Sequence, residues 1–262
     1  MLPNQIFILG GGASVRYLGA IDKGLFSFLQ DKFVIGLNYS YKFVNTTCTL
    51  GIDENVYEGI GEGDPIVAEE ISKLPLVIWK QNNTITHPKD NTIFLTPSKR
   101  YDRDLQGGVY RASLSGIFAL SLAVKLMDLG QQNSEVYLLG YDYGPLKVDG
   151  KIMYDRFAKP FTHWYQDDFK HRGTGKISWF QQTGLDMETR FRLAYSNLEF
   201  RPFATEKKVK IYNVGGTSNI PHFEQISYET FFTKKLIAVN NQDNLRTELK
   251  EVLWKIKNEQ KI

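Results

Sequence analysis

The chain is short of the features that would settle its class at once. It has a single cysteine, Cys48, so no internal disulfide can form, and the disulfide-stapled frameworks of small secreted domains are excluded. It has no long apolar run. Ile117–Val124 stops at Lys125, far short of the roughly 18–20 residues that cross a bilayer. It has little excess charge, since 32 Lys and Arg against 29 Asp and Glu leave +3. So small a balance neither demands nor excludes an anionic partner. The four histidines, His87, His163, His171 and His222, form no H-E-x-x-H and no Cys/His cluster, so nothing in the pattern marks a zinc centre. There is no G-x-S-x-G elbow. No basic region precedes the apolar residues Ile6–Leu9, so the start does not read as a secretory signal. The expectation is a soluble, cytoplasmic protein.

What is present is an ordinary globular balance: 42% hydrophobic, 13% aromatic and 23% charged residues, enough for a sizeable core. Cys48, inside the apolar stretch Cys48–Ile52, reads as a small core residue. No repeat, low-complexity tract or linker divides the chain. Residues 1–240 read as one domain with a lid-like insertion over about 144–184, polar, aromatic and basic and without a period. Residues 241–262 add an amphipathic helix, with Leu245, Leu249, Val252, Leu253 and Ile256 on one stripe.

Short apolar runs alternate with helical stretches. Ile6–Leu9 is a buried strand running straight into Gly10-Gly-Gly-Ala-Ser14. Val15–Leu29 has near-helical spacing, interrupted by Gly19 and Gly24. Phe33-Val-Ile, Thr46–Ile52, Leu76–Trp79, Thr92–Leu95, Val136–Leu139 and Val209–Tyr212 read as strands, the last of these closing the sheet. Arg111–Leu129 is a helix with almost no polar face, stopped by Gly130, and Asp186–Phe200 is another candidate helix. The alternation predicts an α/β fold: a Rossmann-like, mostly parallel sheet with helices on both faces.

Such sheets bind ligands beyond the carboxyl ends of their strands, so the residues after each run are the candidate site. These are Gly10, Gly11, Gly12 and Ser14; Asn38; Asp53; Gly140-Tyr-Asp142-Tyr143; and the turn from Asn213 to Ser218. Glycines let backbone N–H groups approach a phosphate at a helix start. The turn lacks G-x-G-x-x-G spacing and no Gly-Lys-Ser/Thr follows it, so a plain turn with Ser14 as helix cap stands beside nucleotide contact. Arg111, Ser115 and Gly116 open the buried helix, where a serine can cap it or meet a ligand and Arg111 can pair with phosphate. Asp53 and Asp142 suit a ribose hydroxyl or magnesium, or the capping of a helix. His163 and His171 lie in the insertion, where an imidazole titrating near neutrality suits general base work.

In this order the residues resemble the family-42 sialyltransferases of bacteria and the related domain-of-unknown-function 115 proteins, which include archaeal 6-hydroxymethylpterin diphosphokinases. The resemblance rests on Gly10-Gly-Gly-Ala-Ser14, Asn38, Leu114-Ser-Gly116, Gly140-Tyr-Asp-Tyr143 and Ile211-Tyr-Asn-Val-Gly-Gly-Thr-Ser218. It spans about residues 5–230 as short blocks. It implies a nucleotide-binding domain with a lid, a CMP-linked sugar as donor, and a lid histidine, here His171, as general base. Tyr143 and Tyr154 would hold the leaving phosphate. Gly-Ala-Ser replaces the family's Gly-Pro-Ser, and Tyr39 stands where Gln often follows Asn. Asp53 is closer to the diphosphokinase side, where a carboxylate helps to hold magnesium.

The expectation is a transferase with a nucleotide-activated donor, its phosphates over Gly10–Ser14 and Ser115-Gly116, and a hydroxyl acceptor that is a glycan, a small metabolite or a modified nucleic-acid base. It requires no cofactor. The alternatives are diphosphoryl transfer from Mg-ATP, with Asp53 or Asp142 on the metal, and a non-catalytic nucleotide or nucleic-acid binding module.

Overall fold

The structure is a computed structural model. It describes residues 2–18, 20–53, 57–59, 65–81, 85–86, 88–98, 109–110, 115–128, 133–142, 146–154, 209–215, 218, 220 and 222–259. The first five strands are β1 (Gln5–Leu9), β2 (Val34–Leu37), β3 (Cys48–Gly51), β4 (Val77–Lys80) and β5 (Thr92–Leu95). A two-residue ladder follows, β6 (Pro97–Ser98) with β7 (Val109–Tyr110), and then β8 (Glu135–Leu139). A hairpin, β9 (Lys147–Val148) with β10 (Lys151–Ile152), precedes β11 (Lys210–Val214) and β12 (Glu224–Ile226). The main sheet has eight strands in the order β12-β11-β8-β1-β2-β3-β4-β5. Every pairing in it is parallel.

Helices cover both faces, which is why the central strands are apolar without alternation. On one face lie α4 (Ser115–Asp128) and α6 (Gln242–Glu259), against Ile6, Ile8, Ile35, Leu50, Ile78 and Leu138. α4 is buried along its length, and it returns the chain from the β5 edge to β8 at the centre. On the other face lie α1 (Ser14–Tyr17), α2 (Leu25–Leu29), α3 (Pro65–Ser72) and α5 (Tyr228–Thr233).

Three elements depart from the sequence pattern. The stretch Val15–Leu29 is two short helices, because Gly24 takes φ 81° before α2, a conformation glycine adopts without penalty. The insertion opens with an ordered hairpin whose turn, Asp149-Gly150, has φ of 49° and 75°, the paired positive values of a tight turn that matches strand twist. β11 is not the last strand, since β12 pairs with it in parallel at the edge. The predicted helix Asp186–Phe200 lies outside the described residues, as does the insertion beyond residue 154.

Candidate functional site

From β1 the chain builds the sheet outward through β2 to β5, then returns to the other side of β1 and adds β8, β11 and β12. Strand order therefore reverses between β1 and β8. Neighbouring connections leave in opposite directions there, the place where sheets of this kind take a ligand at the carboxyl edge. Gly10–Ser14 follows β1 and Gly140–Asp142 follows β8, so both reach this point.

The two strand ends are stitched together. Gly10 N–H donates to the Leu139 carbonyl at 2.8 Å and Gly12 N–H to the Gly140 carbonyl at 2.8 Å. A side chain on Gly12 would lie 2.6 Å from that oxygen and 2.7 Å from the Asp142 carboxyl. Close approach of the backbones thus requires glycine here. Ser14 is not the cap of α1, because Ala13 occupies that position without a side-chain bond. The acceptor comes from the end of β8. Ser14 N–H donates to Asp142 Oδ2 at 2.7 Å, and Ser14 Oγ donates to Asp142 Oδ1 at 2.5 Å. Asp142 is only 4% exposed. Burial raises its pKa, and the two bonds from Ser14 offset only part of that rise.

Further residues close around this pair. Tyr141 Oη donates to the Gly116 carbonyl at 3.0 Å, tying the β8 end to the first turn of α4. Ser218 Oγ donates to the Tyr141 carbonyl and accepts from Ile220 N–H. Gly215, at φ 129°, faces Ser14 and the Tyr228 ring. The Tyr228 hydroxyl is buried and has no hydrogen-bond partner among the described residues. Burial and the charge of Asp142 raise its pKa, and the nearby Ser14 hydroxyl and Gly140 backbone offset part of that rise. Asn213, 1% exposed, stands in register with Leu138 and so with Ile8. Its Nδ2 has no partner among the described residues.

The candidate residues separate into two groups. Gly10, Gly12, Ser14, Gly116, Asp142 and Ser218 are joined by the contacts above. Asn38 follows β2, half-buried, at φ 50°, which asparagine tolerates better than most side chains. Asp53 follows β3 and reaches solvent. The surrounding protein raises its pKa, and Lys80 lowers it. β3 and β8 are three positions apart in the sheet, about 14 Å at normal strand spacing. Asp53 and Asp142 therefore do not meet on one magnesium ion, and both oxygens of Asp142 already accept from Ser14. Among the described residues no group of three or more His, Cys, Asp or Glu side chains is placed to hold a metal. Tyr154 follows β10 and is 54% exposed. Arg111, Tyr143, His163 and His171 lie outside the described residues.

Sequence reasoning missed Tyr228, whereas Gly215 lies inside the Asn213–Ser218 turn that the strand pattern had already marked. Tyr228 looks like any aromatic on a short helix, and only the fold puts it under the switch point. The chain matches no family model, no curated protein and no solved structure. Among the described residues no helix is long and apolar enough to cross a membrane.

Proposed function

We propose that the protein is a transferase that takes a nucleotide-activated, CMP-sugar-like donor at the carboxyl edge where β1 and β8 part. One observation carries the reading: the reversal of strand order coincides with the glycine turn, Ser14 and Asp142. A doubly wound sheet opens its ligand crevice at that point. The start of α4, Ser115-Gly116, receives the donor phosphate, because free N–H groups of a first helical turn favour an anion. The acceptor hydroxyl attacks the donor carbon, and the carbon–oxygen bond to the phosphate breaks. His171 takes the hydroxyl proton, and Tyr143 with backbone N–H groups holds the departing phosphate. The acceptor is a hydroxyl of a glycan, a small metabolite or a modified nucleic-acid base.

Diphosphoryl transfer from Mg-ATP is the weaker reading. It would rest on Asp53, the exposed carboxylate at this edge, with Asp142 committed to Ser14. Thermal-shift screening separates the readings. Stabilisation by CMP or CDP supports the proposal, and stabilisation only by Mg-ATP supports the second. Stabilisation by an oligonucleotide without any mononucleotide points to a binding module.

A further inference from the structure

The turn Gly10–Ser14 has spent most of its donors. The N–H groups of Gly10, Gly12 and Ser14 go to Leu139, Gly140 and Asp142, and the Ser14 hydroxyl also goes to Asp142. Among the described residues the N–H groups of Gly11 and Ala13 find no partner. A carboxylate that takes a main-chain N–H on one oxygen and a hydroxyl on the other stands where an incoming phosphate would bind. Asp142 is buried, so water screens it poorly. Two donors from Ser14 favour its ionised form, and against that charge a second anion about 4 Å away at an effective dielectric of about 20 loses affinity on the order of a thousandfold. Tyr228, buried against the same pair, brings no positive charge to offset it.

We propose that Asp142 fills the anion position of the Gly10–Ser14 turn from inside the protein, so that the turn rejects phosphate and receives an uncharged, hydroxyl-bearing part of the ligand. For the ligand's class this rests on the nucleotide-donor reading. The donor then lies with its sugar or nucleoside hydroxyls toward Gly11 and Ala13 and its phosphate away from them. A phosphate over the glycine turn, the arrangement expected from the sequence, is thereby replaced.

The test uses the full chain and two probes, inorganic phosphate and formate, with chloride as the salt control. In the wild type, phosphate leaves the amide resonances of Gly11, Ala13 and Ser14 unmoved. Asp142→Ala strands the Ser14 N–H and opens the position. Its melting temperature falls by roughly 5–10 °C, and formate restores most of that loss and returns the Ser14 amide toward its wild-type shift. Asp142→Asn keeps an oxygen for the Ser14 N–H, melts close to the wild type and gains nothing from formate. Saturable movement of the wild-type turn amides by phosphate overturns the proposal, as does an Asp142→Ala protein that formate does not rescue. If Asp142→Ala does not fold, the wild-type titration and Asp142→Asn decide. No arm contains a nucleotide, so failure of the nucleotide screen and failure of this proposal are read separately.

Discussion

Cys48 lies in β3 with 1% of its surface exposed, and burial pushes its thiol up to about 12 while Arg246 pulls the other way. The thiolate is the reactive form, so the native protein should resist thiol reagents at pH 8 and react fast in urea. Labelling at native speed equal to that in urea would show the core open. The sign of the pH effect follows. Below about pH 9 folded and unfolded states both keep the proton; between there and about 12 only the unfolded state loses it. Stability from this group therefore falls as pH rises through that window. Gly12 is the second residue whose role is set by its neighbours. Gly12→Ala places a methyl against the Gly140 carbonyl and the Asp142 carboxyl, and should cost about 1–3 kcal/mol in urea unfolding, as overpacking does. His171 tests the chemistry. With His171 as general base, His171→Ala should lower turnover about 10²–10⁴-fold with donor affinity kept, whereas His163→Ala should leave turnover intact. The reverse result moves the base to His163.

At the scale of elements, the legible ones were those with strong local pattern. β1, β8 and the α4 helix are apolar runs too regular to misread, and the Leu245, Leu249, Leu253 and Ile256 stripe became the buried face of α6. The missed ones are short and lean on neighbours. β12 is Glu224-Gln-Ile226, two of its three residues exposed, and it exists because β11 offers an edge. α3 begins at Pro65, a good first helical residue, and α5 is capped by Ser227, which accepts from Thr230 N–H at 3.1 Å; both signals were present but weak. The α6 helix also pins the loop before β3, through Arg246 to the carbonyls of Thr46 and Thr47 and to Asn45. Ending the chain after residue 240 should therefore abolish the cooperative thermal transition seen by circular dichroism, since it uncovers the part of one sheet face beside α4 and removes those bonds. Trp254→Ala, at a half-exposed position of the same helix, should change stability by no more than about 0.5 kcal/mol. A truncated chain that melts like the whole one would show that α6 is an appendage.

At the scale of the whole molecule, the parallel α/β architecture was legible from the alternation of elements, but the strand order was not. Which strand lies beside which is decided by packing across long sequence separations, as in the pairing of β1 with β8. The site divides the same way. That polar residues at strand ends share one edge follows from all strands of the main sheet being parallel. That Ser14 would meet Asp142, 128 residues on, does not follow from any local pattern. The topology makes a prediction for the intact protein. The eight strands of the main sheet share one direction, so a ligand at the switch point touches only the carboxyl edge. With CMP at about a hundred times its dissociation constant, stabilisation of about 2.7 kcal/mol should raise the melting temperature by roughly 5–10 °C. Hydrogen exchange should then slow at Gly11, Ala13, Asn38 and Gly215, near the carboxyl ends of β1, β2 and β11. Gln5, Glu135 and Lys210, which begin β1, β8 and β11 in one register, should show only the uniform slowing that global stabilisation brings. Protection centred on Gln5, Glu135 and Lys210 instead would put the ligand at the amino edge. The switch point would then be a structural seam, and the nucleotide-donor reading would lose its support.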